Sequence, residues 1–492
     1  MMLDMIWLVS FLVEISFFRA SMNGHLKQIA AGFLVLLIVG VTMLEFSWFG
    51  SWFAIVVVIL LPFRLLNVAR VIKNRMHPSY LSRATLRTSV SIMVLHVAGF
   101  LFVSSPIWAL RPYFPVISLV VAASMFGLAL LHVYKTRHIR NTKHYSDNEL
   151  PTVSVCIPAR NETDDLEQCL RSIIANDYPK LEILVLDDCS QDKTALTIKS
   201  FAQDGVRFVQ GEPPAARWLA KNQAYDKLTH EATGELLLFC GVDVRLGPHA
   251  IRALVTTMLN RNKTMISVLP LRFYSRFSEA FIQPMRYWWE LVPPRRLLKR
   301  PAVLSTCWLV NRKKLAKCGG FTALSHAIMP EGFFARQFIK TDGYSFIRAD
   351  EELDVQTVKP FSEQWATAVR TNYPQIRRRP EMAILLTIFS SIFLISPFGM
   401  LFYGIFTLNT PLTILTGLNC ILLTCTHVLI MKISDPANVS IALFTLPFAA
   451  LAEIIIGHTS MLKYEFGIVE WKDRNVCIPV MHAYPKLPNI PE

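Results

Sequence analysis

The residues best placed to do chemistry are carboxylates that end apolar runs. Asp187 and Asp188 close "LEILVLDD", and Asp243 closes "GELLLFCGVD". An acid at such a position can close an Asx-turn, accept hydrogen bonds from a base or ribose, or hold a divalent cation. Asp243 stands alone, because Gly241 precedes it by two residues. One carboxylate still suffices for a weak site, since hard cations keep several waters. Neither GxGxxG nor GxxxxGK[ST] occurs, which argues against dinucleotide cofactors and P-loop chemistry. A crevice lined by acids with a few basic neighbours suits a nucleoside diphosphate, whose charge a cation would bridge.

The flanking pattern shows how these acids are positioned. "TVSVCIPARNE" reads as a buried strand and a loop. It leads to the helix "DDLEQCLRSIIAND", with Leu166, Cys169, Leu170 and Ile173 at helical spacing. A second strand ends in Asp187-Asp188, and a helix follows from about Asp192 to Ala202. "GVRFVQGE" is a third strand, Trp218 to Thr229 a helix, and "GELLLFCGVD" a fourth strand. Strands alternating with helices predict a mostly parallel sheet covered on both faces. Ligands of such sheets bind at the carboxyl ends of the strands, where all three acids stand.

The rest of the chain is apolar. Of 492 residues 52% are hydrophobic, and Lys plus Arg number 50 against 36 Asp plus Glu. Ile29 to Phe63, Val90 to Leu110, Tyr113 to Tyr134, Met382 to Tyr403, Pro411 to Met431 and Val439 to Gly457 are long enough to cross a bilayer. Met5 to Phe18, with Glu14, reads as a weak first span or an interfacial helix, without the basic leader of a signal peptide. The expected organisation is four or five transmembrane helices over 1–135, a globular domain over 136–380, two or three further spans over 381–460, and a tail over 461–492. Pro397-Phe398-Gly399 makes the Met382 run the one expected to re-enter or lie in the interface.

Basic residues between Arg64 and Arg87 assign that loop, and the globular domain two spans later, to the cytoplasm. The net charge of +14 then faces anionic lipid, and no nucleic-acid-binding motif appears. Nine cysteines without CxxC spacing read as buried free thiols, with no zinc site. Ionisable residues in the spans are few (Glu14, Glu45, His96, His427, Glu453) and no internal repeat is visible, which disfavours a transporter.

"PTVSVCIPARNE", "LEILVLDDCSQDKT" and "GELLLFCGVDVRLGP", in this order and spacing, resemble the GT-A core of a family 2 glycosyltransferase. "GEPPAARWLAKNQA", "LVNRKKLAKCGGF" and "VEWKDRNVCIP" are similar to segments of bacterial membrane enzymes that glycosylate lipids such as hopanoids, carotenoids or ceramide. The resemblance covers roughly Pro151 to Pro380 and the tail. It implies an α/β GT-A (Rossmann-like) cytoplasmic domain joined to a polytopic α-helical membrane region. The chain would be a plasma-membrane protein of the cell envelope.

The resemblance also assigns roles. Asp243 aligns with the last acid of D-x-D, the ligand of Mg²⁺ or Mn²⁺, while Gly241 replaces the first. Asp187 and Asp188 match the nucleobase-side D-D-x-S, and Arg160 and Glu162 are nucleotide-side. Lys221 would contact the diphosphate and Trp218 would wall the pocket. Gly319, Gly320 and Phe321 are acceptor-side. "MPEGFFARQFIKTDGY" places Glu331 at the base position and Pro330 at the preceding acid. "SEQWATAVRTNYPQIRRRP" stands for the Q-x-x-R-W helix, with Gln364, Trp365 and Arg370 present but the Arg-Trp pair out of register. Each has a plainer reading: a first-turn acid on a helix dipole for Glu331, a solvated charge for Lys221, helix capping for "NETDD". The segment "FIQPMRYWWELVPPRRLLKRP" suits the membrane interface, or packs as a surface helix.

The expected reaction is inverting transfer of a hexosyl group from a UDP- or GDP-sugar to a lipid or lipid-linked acceptor at the cytoplasmic membrane face. The alternatives are a polysaccharide synthase, or a catalytically degenerate GT-A scaffold in which Gly241 and Pro330 mark lost acids.

Overall fold

A computed structural model describes residues 2–19, 24–48, 60–69, 89–90, 92–96, 112–138, 145–215, 218–273, 282–295, 300–472 and 474–477. The chain divides into two compact units. One comprises Met1–Val120, Asn372–Leu418 and Ile454–Ile468, the other Val121–Thr371, Asn419–Glu453 and Val469–Glu492.

The second unit holds a seven-stranded sheet in the order β3-β2-β1-β4-β8-β6-β9. Its strands are β1 (Val153–Ala159), β2 (Leu181–Asp187), β3 (Val206–Gln210), β4 (Leu236–Cys240), β6 (Met265–Leu269), β8 (Cys307–Asn311) and β9 (Tyr344–Arg348). The first four run parallel, and β8 alone is antiparallel to its neighbours β4 and β6. The crossovers are α1 (Thr163–Ile174), α2 (Thr194–Ser200) and α3 (Ala220–Glu231). The second expected helix is shorter than its sequence pattern, because a 3-10 turn at Ala202–Asp204 takes over its end.

Alternation along the buried strands separates two cores. Val155, Ile157, Val185 and Leu238 face one with Leu166, Leu170 and Ile173 of α1. Cys156, Leu184, Leu237 and Phe239 face the other with Tyr225 and Leu228 of α3. In the second core Phe239 stacks on Trp308 at 4.4 Å between ring centroids. Phe321 and Phe334 close the cluster at 5.5 Å from each other. Three short strands form a separate sheet in the order β5-β10-β7: β5 (Val244–Leu246), β10 (Val355–Val358) and β7 (Leu271–Phe273).

Four helices among the described residues are long and apolar enough to cross a membrane: Phe114–Lys135, Pro380–Phe406, Thr410–Ser434 and Pro436–Glu465. Pro380–Phe406 stays helical through Pro397, with a π turn at Ser391–Ile395 in front of it. Most of the expected span Val90–Leu110, and the basic loop beyond Ala69, lie outside the described residues. In the first unit Arg64 Nε donates to Glu14 Oε2 at 3.0 Å and its Nη2 to Ser10 Oγ. Ser89 Oγ donates to Glu14 Oε1 at 3.2 Å, so this buried ion pair is well satisfied, as apolar surroundings demand.

Within the aromatic segment, the described side chains are largely packed against protein. Tyr287 and Trp288, on the helix Ile282–Leu291, are buried. Trp288 Nε1 donates to His427 Nδ1 at 3.1 Å, and Arg295 pairs with the buried Glu290 at 2.7 Å. Arg296 and Lys299 lie outside the described residues. All nine cysteines are free thiols, among them the buried Cys156 and Cys240.

The indole N–H of Trp308 is buried and finds no hydrogen-bond partner among the described residues. Trp308→Ala should therefore cost about 3–5 kcal/mol by opening a cavity, whereas Trp308→Phe keeps the stack and should cost much less. Thermal unfolding of both variants in detergent checks this; equal losses would contradict it.

Candidate active site

Asp243 lies three residues past the end of β4, in the turn into β5. Register brings its partners to it. Thr357 on β10 pairs with Val244 on one side and Arg272 of β7 on the other. Thr357 Oγ1 donates to Asp243 Oδ2 at 3.0 Å, and Lys359 Nζ lies 3.5 Å from the same oxygen. Burial alone would raise this carboxyl, but Lys359, Thr357 and Arg272 together hold it below the usual range. The other oxygen, Oδ1, folds back over Gly241, where a side-chain Cβ would meet it at 2.4 Å. The missing first acid thus has a local reason: with Asp243 in this rotamer no side chain fits at 241.

Glu331 sits in the first turn of α4 (Pro330–Phe338), and Pro330 takes the start of the helix, where its missing N–H costs nothing. Glu331 is wholly buried, and among the described residues no other residue donates a hydrogen bond to either carboxylate oxygen. Burial pushes its carboxyl above the usual range, opposed by Lys221, Arg286 and Arg370. Lys221, at the start of α3, lies 5.1 Å from the centre of the Tyr225 ring. Burial lowers its ammonium to about 8, with Glu331 and Asp243 holding it up and Arg370 and Lys359 pressing it down. Glu331, Lys221, Asp243 and Arg370 therefore share one electrostatic neighbourhood.

The nucleotide-side residues are also gathered, but already engaged. Asp187 Oδ1 accepts from Ser190 N–H at 3.2 Å, which closes a turn. Arg160 Nη1 donates to the carbonyls of Asp188 and Cys189 at 2.7 and 2.8 Å, and its Nε to the carbonyl of Lys472 at 2.9 Å. Glu162 pairs with Lys472 Nζ at 3.0 Å. Its carboxylate groups with those of Asp165 and Glu363 within 4.8 Å, and Arg245 pairs with Asp165. Asp188 Oδ2 accepts from Arg474 Nη1 at 2.7 Å.

The other expected residues lie in packed or hydrogen-bonded surroundings. Phe321 is fully buried in the aromatic core. Gly319 and Gly320 adopt φ +89° and +55° in the turn before it, a conformation that favours glycine. Buried Gln364 donates to the Lys359 carbonyl at 2.8 Å, and half-buried Trp365 rests on Phe361. Trp218 packs at the margin of the second core. Arg370 lies over the Trp471 ring at 5.0 Å. Sequence reasoning missed Thr357, Lys359 and Arg272, which carry no motif. It quoted Trp471, Lys472 and Arg474 only as a tail.

Residues 154–319 match the family model described as Glycosyl transferase family 2. The chain carries a family 2 glycosyltransferase domain. A 4,4'-diaponeurosporenoate glycosyltransferase of Staphylococcus aureus is 25% identical over 383 residues, spanning 74% of this chain and 97% of that one. An uncharacterized Mycobacterium tuberculosis protein is 36% identical over 104 residues, 21% of this chain and 31% of the relative's length. The mannosyltransferase of Pyrobaculum calidifontis, solved with GDP-Man and Mn²⁺, aligns over 70% of this chain and 99% of its own at 17% identity and a TM-score of 0.38. The sheet is mostly parallel, as its strand–helix pattern predicts, and the GT-A fold is the one that the resemblance implied.

Gly241→Ala should displace Asp243 Oδ1 and lower turnover severalfold while leaving the thermal midpoint close to wild type. The only atom a methyl would strike within 3 Å is the tip of that side chain. Unchanged turnover would show that this rotamer is not the working one.

Proposed function

We propose that the protein transfers a sugar, with inversion, from a nucleotide-sugar donor to a hydroxyl of a lipid or lipid-linked acceptor at the cytoplasmic face of the membrane. The observation that carries this is Glu331: a wholly buried carboxylate to which no other described residue donates a hydrogen bond, set beside cations and within a glycosyltransferase domain. Buried polar groups are otherwise nearly always paired, so an orphan of this kind points to a missing ligand.

In the proposed step a Glu331 oxygen accepts the proton of the acceptor hydroxyl as that oxygen bonds to the anomeric carbon. The bond from that carbon to the diphosphate breaks on the opposite side, and nucleoside diphosphate leaves with the electron pair. Lys221, Arg370 and Lys359 offset the growing negative charge of the leaving group. Asp243 Oδ1 fits a hard divalent cation as its one protein ligand, with water and phosphate oxygens completing the shell. Such an ion would supply Lewis-acid neutralisation of the diphosphate. An apolar acceptor is supported by the four helices able to cross a membrane and by the carotenoid-type name of the Staphylococcus aureus relative.

A test is Mn²⁺- or Mg²⁺-dependent release of nucleoside diphosphate from a panel of nucleotide sugars, with the purified protein in lipid extract. Glu331→Gln should lower kcat by about 10²–10⁴-fold, the usual worth of a general base. Asp243→Asn should lose turnover as well. Failure of every donor to bind the wild type would sink the reading.

The pH profile of the wild type carries its own signature. Glu331 must be ionised to act, and burial raises its carboxyl, so activity should fall on the acid side at a pH above that of an exposed Glu. Lys221 loses its charge as pH rises through about 8, which sets the basic limb. A profile flat from pH 5 to 9 would contradict both assignments.

A further inference from the structure

The tail that follows the last membrane helix ends in a small hairpin, Glu470–Trp471 paired with Arg474–Asn475. Five of its contacts converge on the nucleotide side of the domain. The Lys472 carbonyl accepts from Arg160 Nε at 2.9 Å, and Lys472 Nζ reaches the Asn161 carbonyl at 3.1 Å and Glu162 at 3.0 Å. Arg474 Nη1 donates to Asp188 Oδ2 at 2.7 Å, and its Nη2 to the Asp188 carbonyl at 3.2 Å. Trp471 receives the guanidinium of Arg370 on its face at 5.0 Å. One hairpin thus ties together the loop after β1, the loop after β2 and the helix Phe361–Gln375.

We propose that Arg474 is a positioning residue for the donor: by holding Asp188 Oδ2 it keeps this carboxylate ionised and leaves Oδ1 as an acceptor for a ring N–H of the nucleobase. The inference rests on the nucleotide-sugar reading above. Among the described residues Oδ2 takes its hydrogen bond from Arg474, and no protein donor is found on Oδ1. An ionised carboxylate only accepts, whereas a protonated one turns half of its edge into a donor.

The electrostatics around Asp188 show why the guanidinium matters. Its side chain is 6% exposed, and burial raises its carboxyl above the usual range even with Arg474 present. Arg474 and Arg160 oppose this, and the neighbouring Asp187 adds to it. Lys472 and Glu162, next to Asp188 on the hairpin and the loop after β1, are paired with each other. Arg160 contributes its hydrogen bonds to backbone carbonyls of the Asp188 loop. The direct charge-assisted bond to the carboxylate is therefore Arg474's, and losing it drives Asp188 toward its neutral form.

The experiment is direct nucleotide binding, with the full-length protein in lipid nanodiscs titrated with UDP and with GDP between pH 6 and 8.5. Arg474→Gln should weaken the better-bound nucleotide on the order of tenfold at pH 7. The deficit should shrink as pH rises, because alkali ionises Asp188 without help. Arg474→Lys should recover most of the affinity, and Asp188→Asn should lose it at every pH. A merely structural hairpin would yield a pH-independent deficit with a lowered thermal midpoint, and that result overturns the proposal. So does Arg474→Gln binding as tightly as the wild type or tighter. A wild type that binds neither nucleotide overturns the donor reading itself, and this inference with it.

Discussion

Burying an ionisable carboxylate is the constraint on which the arrangement of charges around α4 depends. Glu331 is fully buried, and among the described residues no other residue donates a hydrogen bond to it. Desolvating a carboxylate costs several kcal/mol unless charge of the other sign is near. That charge comes from Lys221, Arg286 and Arg370, which belong to three different helices. From other residues the compensation is charge without a hydrogen bond, with the backbone N–H of Glu331 itself adding to it, and burial still keeps the carboxyl's proton affinity high. The same low dielectric acts on Lys221, whose ammonium is easier to deprotonate than in water.

Packing beneath these charges holds them in place. Tyr225 is one helical turn after Lys221, and Phe334 is three residues after Glu331, so each charge shares a helix face with an aromatic ring. Tyr225 and Phe334 both pack against Trp308 and Phe321, at centroid distances from 5.3 to 6.4 Å. Glu331 and Lys221 are therefore fixed relative to one another by a dense core rather than by a bond between them. Phe321, read from sequence as acceptor-side, matters here as part of that core. The acid side of the site follows a different logic: Asp243 is aimed by the register of the three-stranded sheet, which delivers Thr357 and Lys359 to one oxygen and leaves Gly241 beneath the other.

Alternating apolar runs and helical spacing were enough to determine the strand–helix order, the parallel character of the sheet and the presence of membrane-length helices. These are local patterns, and burial on both faces of β4, for example, is written directly in "LLLFC". Asp187, Asp188, Asp243, Lys221 and Glu331 were legible as candidates, because each sits at a strand end or helix start, or in a segment matching known motifs. Tertiary structure alone decided the rest. Lys359 reaches Asp243 only through a strand pairing across more than a hundred residues, and Arg474 reaches Asp188 only because the chain returns after its last membrane helix. On composition alone the aromatics of Ile282–Leu291 name no partner, and only the fold shows that Trp288 meets His427 and Tyr287 meets Arg272. Local sequence sets what each segment can bury; which charges meet depends on contacts far apart in the chain, and no spacing in the sequence records those.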